Sequence, residues 1–263
     1  MKISLIQPSR NNLKYLKWSY DSIRKNQGNH EVEICVADDF SKDGTKEWCE
    51  EIVKADKQFK WIRNEGPERQ GLVILNDRLI NEVATNELCM IYHADMYLCP
   101  GALDAIEKHM YSVDTFSREE LEQDKLEEYE RETGEKIEKL NVKVKNPKTI
   151  CSLTRIEPPL HPPGPEKVLW DMGIEPEEFK EQELLERLET IKEGEHMMDD
   201  LGVPNRSKTT EGIFAPWEFW RKDFQEIGGH DELFAPQSKE DTDIFNRFHL
   251  NGVKFVQTWE GFV

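Results

Sequence analysis

The chain has 263 residues, of which 37% are hydrophobic and 33% charged, and a formal net charge of −18. That length suits one large domain or two small ones, with enough apolar residues for a packed core. A field of this sign repels phosphate backbones and anionic bilayers, so it argues against nucleic acid and membrane surfaces as partners.

In chain order, Met1-Lys2 leads directly into the apolar run "ISLIQP", too short for a secretory segment, and nothing approaches the ~20 apolar residues of a membrane span. "ISLIQP" predicts a strand ending at Pro8. Leu13, Leu16, Tyr20 and Ile23 follow at helical spacing, with Asn11 or Asn12 as the cap. "VEICVADD" predicts a second buried strand, "SKDGT" a turn, and Thr45 the cap of a helix carrying Trp48 and Ile52. "FKWIRN" predicts a third strand, Leu72, Leu75, Leu79 and Val83 another helix, and "LCMIYHAD" a fourth strand. Strands alternating with helices imply a parallel sheet that binds ligands at the carboxyl ends of its strands.

The character changes at about Tyr111. Ser117 and Glu120 form a capping box, and Arg118 to Lys139 holds ten acids and five bases, the composition of a solvated helix. "TICSLTRIEPPLHPPGPEK" reads as a strand and then a stiff, Pro-rich stretch; within "TRIEPPLHPPGPEK", Arg155, His161 and Lys167 suggest a binding wall as readily as a surface connector. "EPEEFKEQELLERLETIKEGEH" is a second acidic helix, and a compact pattern resumes at "GIFAPWEFW". The expected organisation is therefore 1–110, a charged helical and Pro-rich insertion at 111–210, and 211–263. Cys35, Cys49, Cys89, Cys99 and Cys151 form no C-x-x-C pair, which points to reduced thiols in the cytoplasm and away from a zinc site.

Three acidic features stand out. Asp38 and Asp39 end a buried strand, where they either cap the next turn or accept hydrogen bonds from a bound base or ribose. Asp95 lies in an apolar run beside His93, and an ionised carboxylate buried there needs a partner. Glu240 and Asp241 open a helix, where negative charge favours the helix dipole, lowers a carboxyl's pKa and keeps it ionised. Asp243 and Arg247 stand at ion-pair spacing further along.

Taken in order, "ISLIQPSRNN", "EICVADDFSKDGT" and "HAD" resemble the family 2 glycosyltransferases of the GT-A type. Their first strand ends in Pro-Ser/Thr and their second in Asp-Asp before a Ser-x-Asp-Gly-Thr turn; an Asp-x-Asp metal motif comes later. "IGGHDELFAPQSKEDTDIFNRF" resembles their acceptor-side segment, Gly-Gly-Phe-Asp-Glu and then Glu-Asp opening a helix, with His230 in place of Phe. "EDTDIFNRF" also resembles the beta-1,4-galactosyltransferases.

The resemblance implies an α/β GT-A fold, a mixed and mostly parallel sheet flanked by helices with an acidic helical insertion. It implies an inverting, metal-dependent transfer of sugar from a nucleotide-diphospho-sugar, with UDP the expected carrier, to a glycan or other hydroxyl acceptor. Pro8, Ser9, Arg10, Asp38 and Asp39 would meet the nucleoside, with Asp39 at the base edge; Arg69, Asn76, Arg78, His93 and Ala94 would lie along the rest of the donor. Asp95 would hold the metal, and His93 stands where the family has its first aspartate, which favours Mn²⁺ over Mg²⁺. Asp241 would take the acceptor's proton, with Glu240 orienting the acceptor. Many relatives supply a further histidine to the metal from a later segment, and none follows His249 in this sequence; either that ligand lies beyond it, or the ion rests on Asp95, His93 and the diphosphate. Sugar faces stack on aromatic rings, so Trp217 and Trp220 are acceptor-binding candidates as well as core ones. A non-catalytic nucleotide-sugar or glycan-binding module on the same fold is the alternative; a phosphoacceptor receiver domain fits poorly, because the acidic pair follows the second strand.

Overall fold

The computed structural model describes residues 1–117, 127, 130–132, 134, 139–160, 167–192, 209–210 and 215–263. β1 (Lys2–Ser9), α1 (Leu13–Asn26), β2 (Glu31–Asp39), α2 (Thr45–Ala55), β3 (Phe59–Asn64), α3 (Gly71–Arg78) and β4 (Leu88–Ile91) follow the expected alternation. A π-helical turn, Leu79–Val83, extends α3. β1 pairs in parallel with β2 on one side and β4 on the other, and β3 extends the sheet beyond β2.

The chain then runs through α4 (Ala102–Met110), β5 (Tyr111–Ser117), β6 (Lys139–Lys145), β7 (Thr149–Glu157), β8 (Lys167–Leu169), α5 (Glu181–Lys192), β9 (Thr209–Thr210), β10 (Trp217–Trp220), α6 (Arg221–Glu226), α7 (Glu240–Leu250) and β11 (Lys254–Phe262). The main sheet has the order β3-β2-β1-β4-β10-β7-β11-β9, with β8 beside β7. β10 is antiparallel to both β4 and β7, while β11 runs parallel to β7. The result is the mixed, mostly parallel GT-A sheet. β7 sits inside it, although its residues fall within 111–210.

Both faces are covered, so β1 and β2 are buried along nearly their whole length, polar residues such as Ser4, Gln7 and Glu33 included. On one face Leu16 and Ile23 of α1, Trp48 of α2 and Leu103 and Ile106 of α4 pack against Ile3, Leu5, Val36 and Met90. On the other, Leu75 of α3, Phe224 of α6 and Ile244 and Phe248 of α7 pack against Ile6, Ala37, Cys89 and Trp217. Each such side chain, fully withdrawn from water, contributes roughly 1.5–3 kcal/mol. A third cluster seats Leu184, Leu188 and Ile191 of α5 over Tyr97 and Trp259.

Several local expectations are corrected. β4 ends at Ile91, so His93 and Asp95 occupy a turn beyond it and Asp95 is exposed to solvent. The apolar flanks, not a buried carboxylate, made the run look like one strand. Neither Asn11 nor Asn12 caps α1 through its side chain. Asp43 accepts from Leu13 N at 2.8 Å, and its other oxygen takes Thr45 N and Oγ1, so one carboxylate serves the starts of both α1 and α2. Ser117 ends β5 instead of opening a helix. β5 and β6 form a separate antiparallel ribbon, signalled in "KLNVKVK" by its alternation of charged and apolar residues. Of the expected acidic helix, the described residues 127 and 130–132 are helical and Lys139 already opens β6, while Glu120, most of the remaining positions and His161 lie outside the described residues. All five cysteines are free and buried, and among the described residues no helix is long and apolar enough to cross a membrane.

Candidate active site

Successive strand residues face opposite sides, and β2 ends in two aspartates. Asp38 forms an ion pair with Arg63, its neighbour across β3, and accepts from Ser41 N at 2.9 Å. Asp39 turns to the other face. Its oxygens accept from Asn64 Nδ2 at 2.7 Å, Gln70 N at 3.1 Å and Gly71 N at 3.0 Å, so it caps α3 from outside. Burial alone raises its pKa; the bonds from Asn64, Gln70 and Gly71, with the charge of Arg10, outweigh burial and hold the carboxyl below the usual range. Arg10 Nη1 and Arg69 Nε stand 4.0 and 3.9 Å from Asp39 Oδ2, and both guanidinium groups keep more than a third of their surface in solvent. They leave a local positive rim on a strongly negative chain, at the carboxyl ends of β1 and β2. Ser9 is buried beside it with its hydroxyl unbonded, and Asn76 on α3 has a buried, unbonded Oδ1. Arg78 lies further along α3, bonded to Gln70 at 3.3 Å and to Glu82 at 3.4 Å.

Beyond β4, Gln7 Nε2 donates to His93 O at 3.5 Å and anchors the His93-Ala94-Asp95 turn. Ala94 is buried, His93 half-buried and Asp95 exposed. Among the described residues neither the His93 ring nor the Asp95 carboxylate has a hydrogen-bond or ion-pair partner. A carboxylate oxygen and an imidazole nitrogen left open in this turn are donors that a divalent ion such as Mn²⁺ accepts.

Opposite this turn stands the start of α7. Ser238 and Lys239 have φ of 120° and 63°, and Glu240 accepts from Ser238 N, which bends the chain sharply into the helix. Asp241 keeps a solvent-facing surface while protein crowds it from several sides. Its pKa is raised, first by desolvation and then by Glu240, against the pull of His230, His93 and Arg155. The direction is opposite to the one expected from helix position alone, and desolvation is its largest cause. Asp241 thus feels the charges of the His93 turn, of Arg155 on β7 and of His230. Asp243 and Arg247 form the expected ion pair, Oδ2 to Nη2 at 2.6 Å.

A cleft of about 340 Å³ opens from His93 and Asp95, walled by Tyr15, Trp18, Arg155 and Phe179. Arg155 lies 3.2 Å from Glu157, which Lys167 approaches at 3.0 Å. Trp217 and Trp220 line no part of it; both are core residues, Trp217 wholly buried and Trp220 donating to Asn146 O at 2.7 Å. A second cluster of possible metal ligands, His30, Asp104 and Glu107, lies at the amino-terminal edge of the sheet, the end opposite to Asp39 and His93. Its groups already bond one another and the Met1 amine, His30 to Asp104 at 2.9 Å and Glu107 to Met1 at 3.0 Å.

The family model "Glycosyl transferase family 2" matches residues 4–154, more than half of the chain and the span that carries Ser9, Asp39, His93 and Asp95. The chain belongs to this family. Curated proteins yield no sequence match. Among solved structures it is similar to the crystal structure of GalNAc-T7 with UDP, GalNAc and Mn²⁺, at 13% identity and a TM-score of 0.62, covering 100% of this chain and 43% of that one. It is also similar to residues 1–349 of S. aureus TarS, at 15% identity and a TM-score of 0.56, covering 100% of this chain and 60% of that one. At these identities the likeness establishes the GT-A fold. The chain spans less than two thirds of either structure.

Sequence reasoning did not single out Asn64 or the backbone of Gln70 and Gly71, which hold Asp39, because the contact joins the ends of β2 and β3 to α3. Arg63, a further cation near the donor candidates in sequence, is committed to Asp38 by the paired register of β2 and β3. Asp77, which meets His230, was also missed.

Proposed function

We propose that this family 2 chain transfers a sugar from a UDP-linked donor to a hydroxyl acceptor with inversion. The observation that carries this is the convergence of Asp241 on the unpartnered His93-Asp95 turn, beside the Arg10-Arg69 rim. Asp39, Ser9 and the two arginines receive the nucleoside and diphosphate. His93 and Asp95 hold the divalent ion, which when bound neutralises charge growing on the leaving diphosphate. The presence of UDP and Mn²⁺ in the GalNAc-T7 structure supports the same pairing on a shared fold. Asp241 accepts the acceptor hydroxyl's proton as that oxygen attacks the anomeric carbon, and its raised pKa brings it closer to the working pH of a general base. Glu240 orients the acceptor, and the cleft between α1 and the 170–179 segment, with its aromatic walls, receives the acceptor's sugar face. The segment 111–210 shapes that acceptor side. Five free, buried thiols fit a reducing, cytoplasmic setting.

The test is UDP release from a panel of UDP-sugars with Mn²⁺, comparing wild type with Asp95→Ala and Asp241→Asn. Both variants are expected to lose at least ~100-fold, as removal of charge-stabilising and proton-accepting groups does elsewhere. Full activity in both would remove the site assignment.

A further inference from the structure

His230 stands where the family pattern has phenylalanine, and the fold uses its polarity. Its Nδ1 lies 2.5 Å from Asp77 Oδ1, and its backbone N donates to Asp77 Oδ2 at 3.0 Å. The imidazole is almost wholly buried, edge-on to Phe224 at 5.4 Å. Gly229 makes this grip possible: its φ is +72°, and a Cβ there would meet Asp77 Oδ2 at 2.2 Å. From the other side Arg247 Nη1 donates to Gly229 O at 2.6 Å and to Ile227 O at 2.9 Å, while its Nε pairs with Asp243. One turn is thus gripped by α3, the helix that Asp39 caps, and by α7, the helix that Asp241 opens.

A buried polar pair is a poor way to gain stability where an aromatic ring would pack. Its presence in this chain, where the resembled pattern has Phe, calls for another role. We propose that His230, clamped by Asp77, is a positioning residue that acts through Asp241, joining the donor-side helix to the corner that presents the base. This rests on the reading of Asp241 as base. The charged groups around Asp241 are Glu240 on its own helix, His93 beyond β4, Arg155 on β7 and His230; those around His230 are Asp77, Arg247 with Asp243, and Asp241. In that company His230 is tied to a second element by two bonds, which suits it to set a geometry.

The experiment measures UDP release from UDP-sugars with Mn²⁺, the donor KM and UDP affinity for His230→Phe and Asp77→Asn, with melting curves to establish folding. His230→Phe keeps the volume and restores the family's residue. A folded His230→Phe is expected to lose at least ~10-fold in kcat, with KM and UDP affinity within about 2-fold of wild type. Asp77→Asn is expected to behave alike and serves if the phenylalanine variant does not fold. On the residual turnover of Asp241→Asn, adding His230→Phe is expected to cost less than about 2-fold, because groups acting as a unit are not additive. Wild-type kcat in folded His230→Phe overturns the inference, as does an undiminished loss in the Asp241→Asn background. Full turnover in Asp241→Asn instead sinks the base assignment, and this inference with it.

Discussion

Asp38 and Asp39 are adjacent in sequence and face opposite sides of the sheet: Asp38 is closed off by Arg63, while Asp39 caps α3 and looks onto Arg10 and Arg69. Their roles separate accordingly. Asp38→Asn takes from Arg63, only 12% exposed, its nearer carboxylate and leaves it Glu65 at 3.6 Å and Ser41 O at 3.2 Å; it is expected to cost about 2 kcal/mol in urea unfolding while UDP affinity per folded molecule is retained. Asp39→Asn is expected to weaken UDP binding in calorimetry by ten-fold or more. Equal effects of the two on UDP affinity would contradict the division.

Glu33 provides a stability term with a defined pH window. Burial raises its pKa, but Lys60, Ser4 and Thr85 together outweigh burial and bring it down from 4.5 to about 2. A carboxyl depressed in the folded state binds fewer protons than in the unfolded chain, so its contribution is present above about pH 4.5 and is lost as pH falls toward about 2. The full contribution is about 3 kcal/mol. Urea midpoints against pH for wild type and Glu33→Gln should converge across that window; parallel curves would rule the term out.

The base assignment has its own pH signature. With the Asp241 carboxyl raised by desolvation and by Glu240, the acid limb of turnover is expected above the ordinary aspartate range. Glu240→Gln removes a like charge and should move that limb to lower pH. A limb that moves upward, or stays put, in kcat/KM profiles of UDP release is the contrary outcome.

Gly71 carries two demands at once. Its φ is +82°, and a Cβ there would meet Pro236 O at 2.2 Å. Gly71→Ala is expected to destabilise by about 1–3 kcal/mol from backbone strain, and to displace the 235–239 loop that leads into Asp241. Urea unfolding and donor kcat read the two effects separately; wild-type values of both would show that the loop does not depend on this contact.

Metal loading tests the His93 turn without turnover. Ligand that binds only the native state raises stability, by about 2.7 kcal/mol at 100 Kd. UDP with Mn²⁺ is expected to raise the melting temperature of wild type well beyond UDP alone, and Asp95→Ala to abolish that increment. His30→Ala, at the far edge of the sheet, should retain it. Loss in His30→Ala with retention in Asp95→Ala would move the metal to the other end.

Much of this protein is local and therefore legible in one dimension. The alternation of β1 to β4 with α1 to α3 follows from apolar period and turn residues. So do the ends of β1 and β2, where Ser9 and Asp39 stand, and the start of α7 at Glu240. The family resemblance lies in the same short stretches, and the match over 4–154 covers those at the ends of β1 and β2, while the Glu240 stretch lies beyond it. The β5–β6 ribbon was equally local, and its alternating pattern was overshadowed by the acidic run that follows.

What tertiary structure decided depends on atoms far apart in the chain. Which of two adjacent aspartates pairs with Arg63 and which meets Gln70 and Gly71 follows from strand register, where one residue's shift exchanges faces. That Asp95 is exposed follows from β4 ending at Ile91, and that Trp217 and Trp220 are core follows from β10 lying between β4 and β7. The sequence determined that Asp241 opens a helix; the fold around it decided that its pKa is raised, first by desolvation and then by Glu240, and that the charges of His230, His93 and Arg155 reach it. A helix terminus is written in its own few residues, whereas hydration at a cleft is set by everything folded around it.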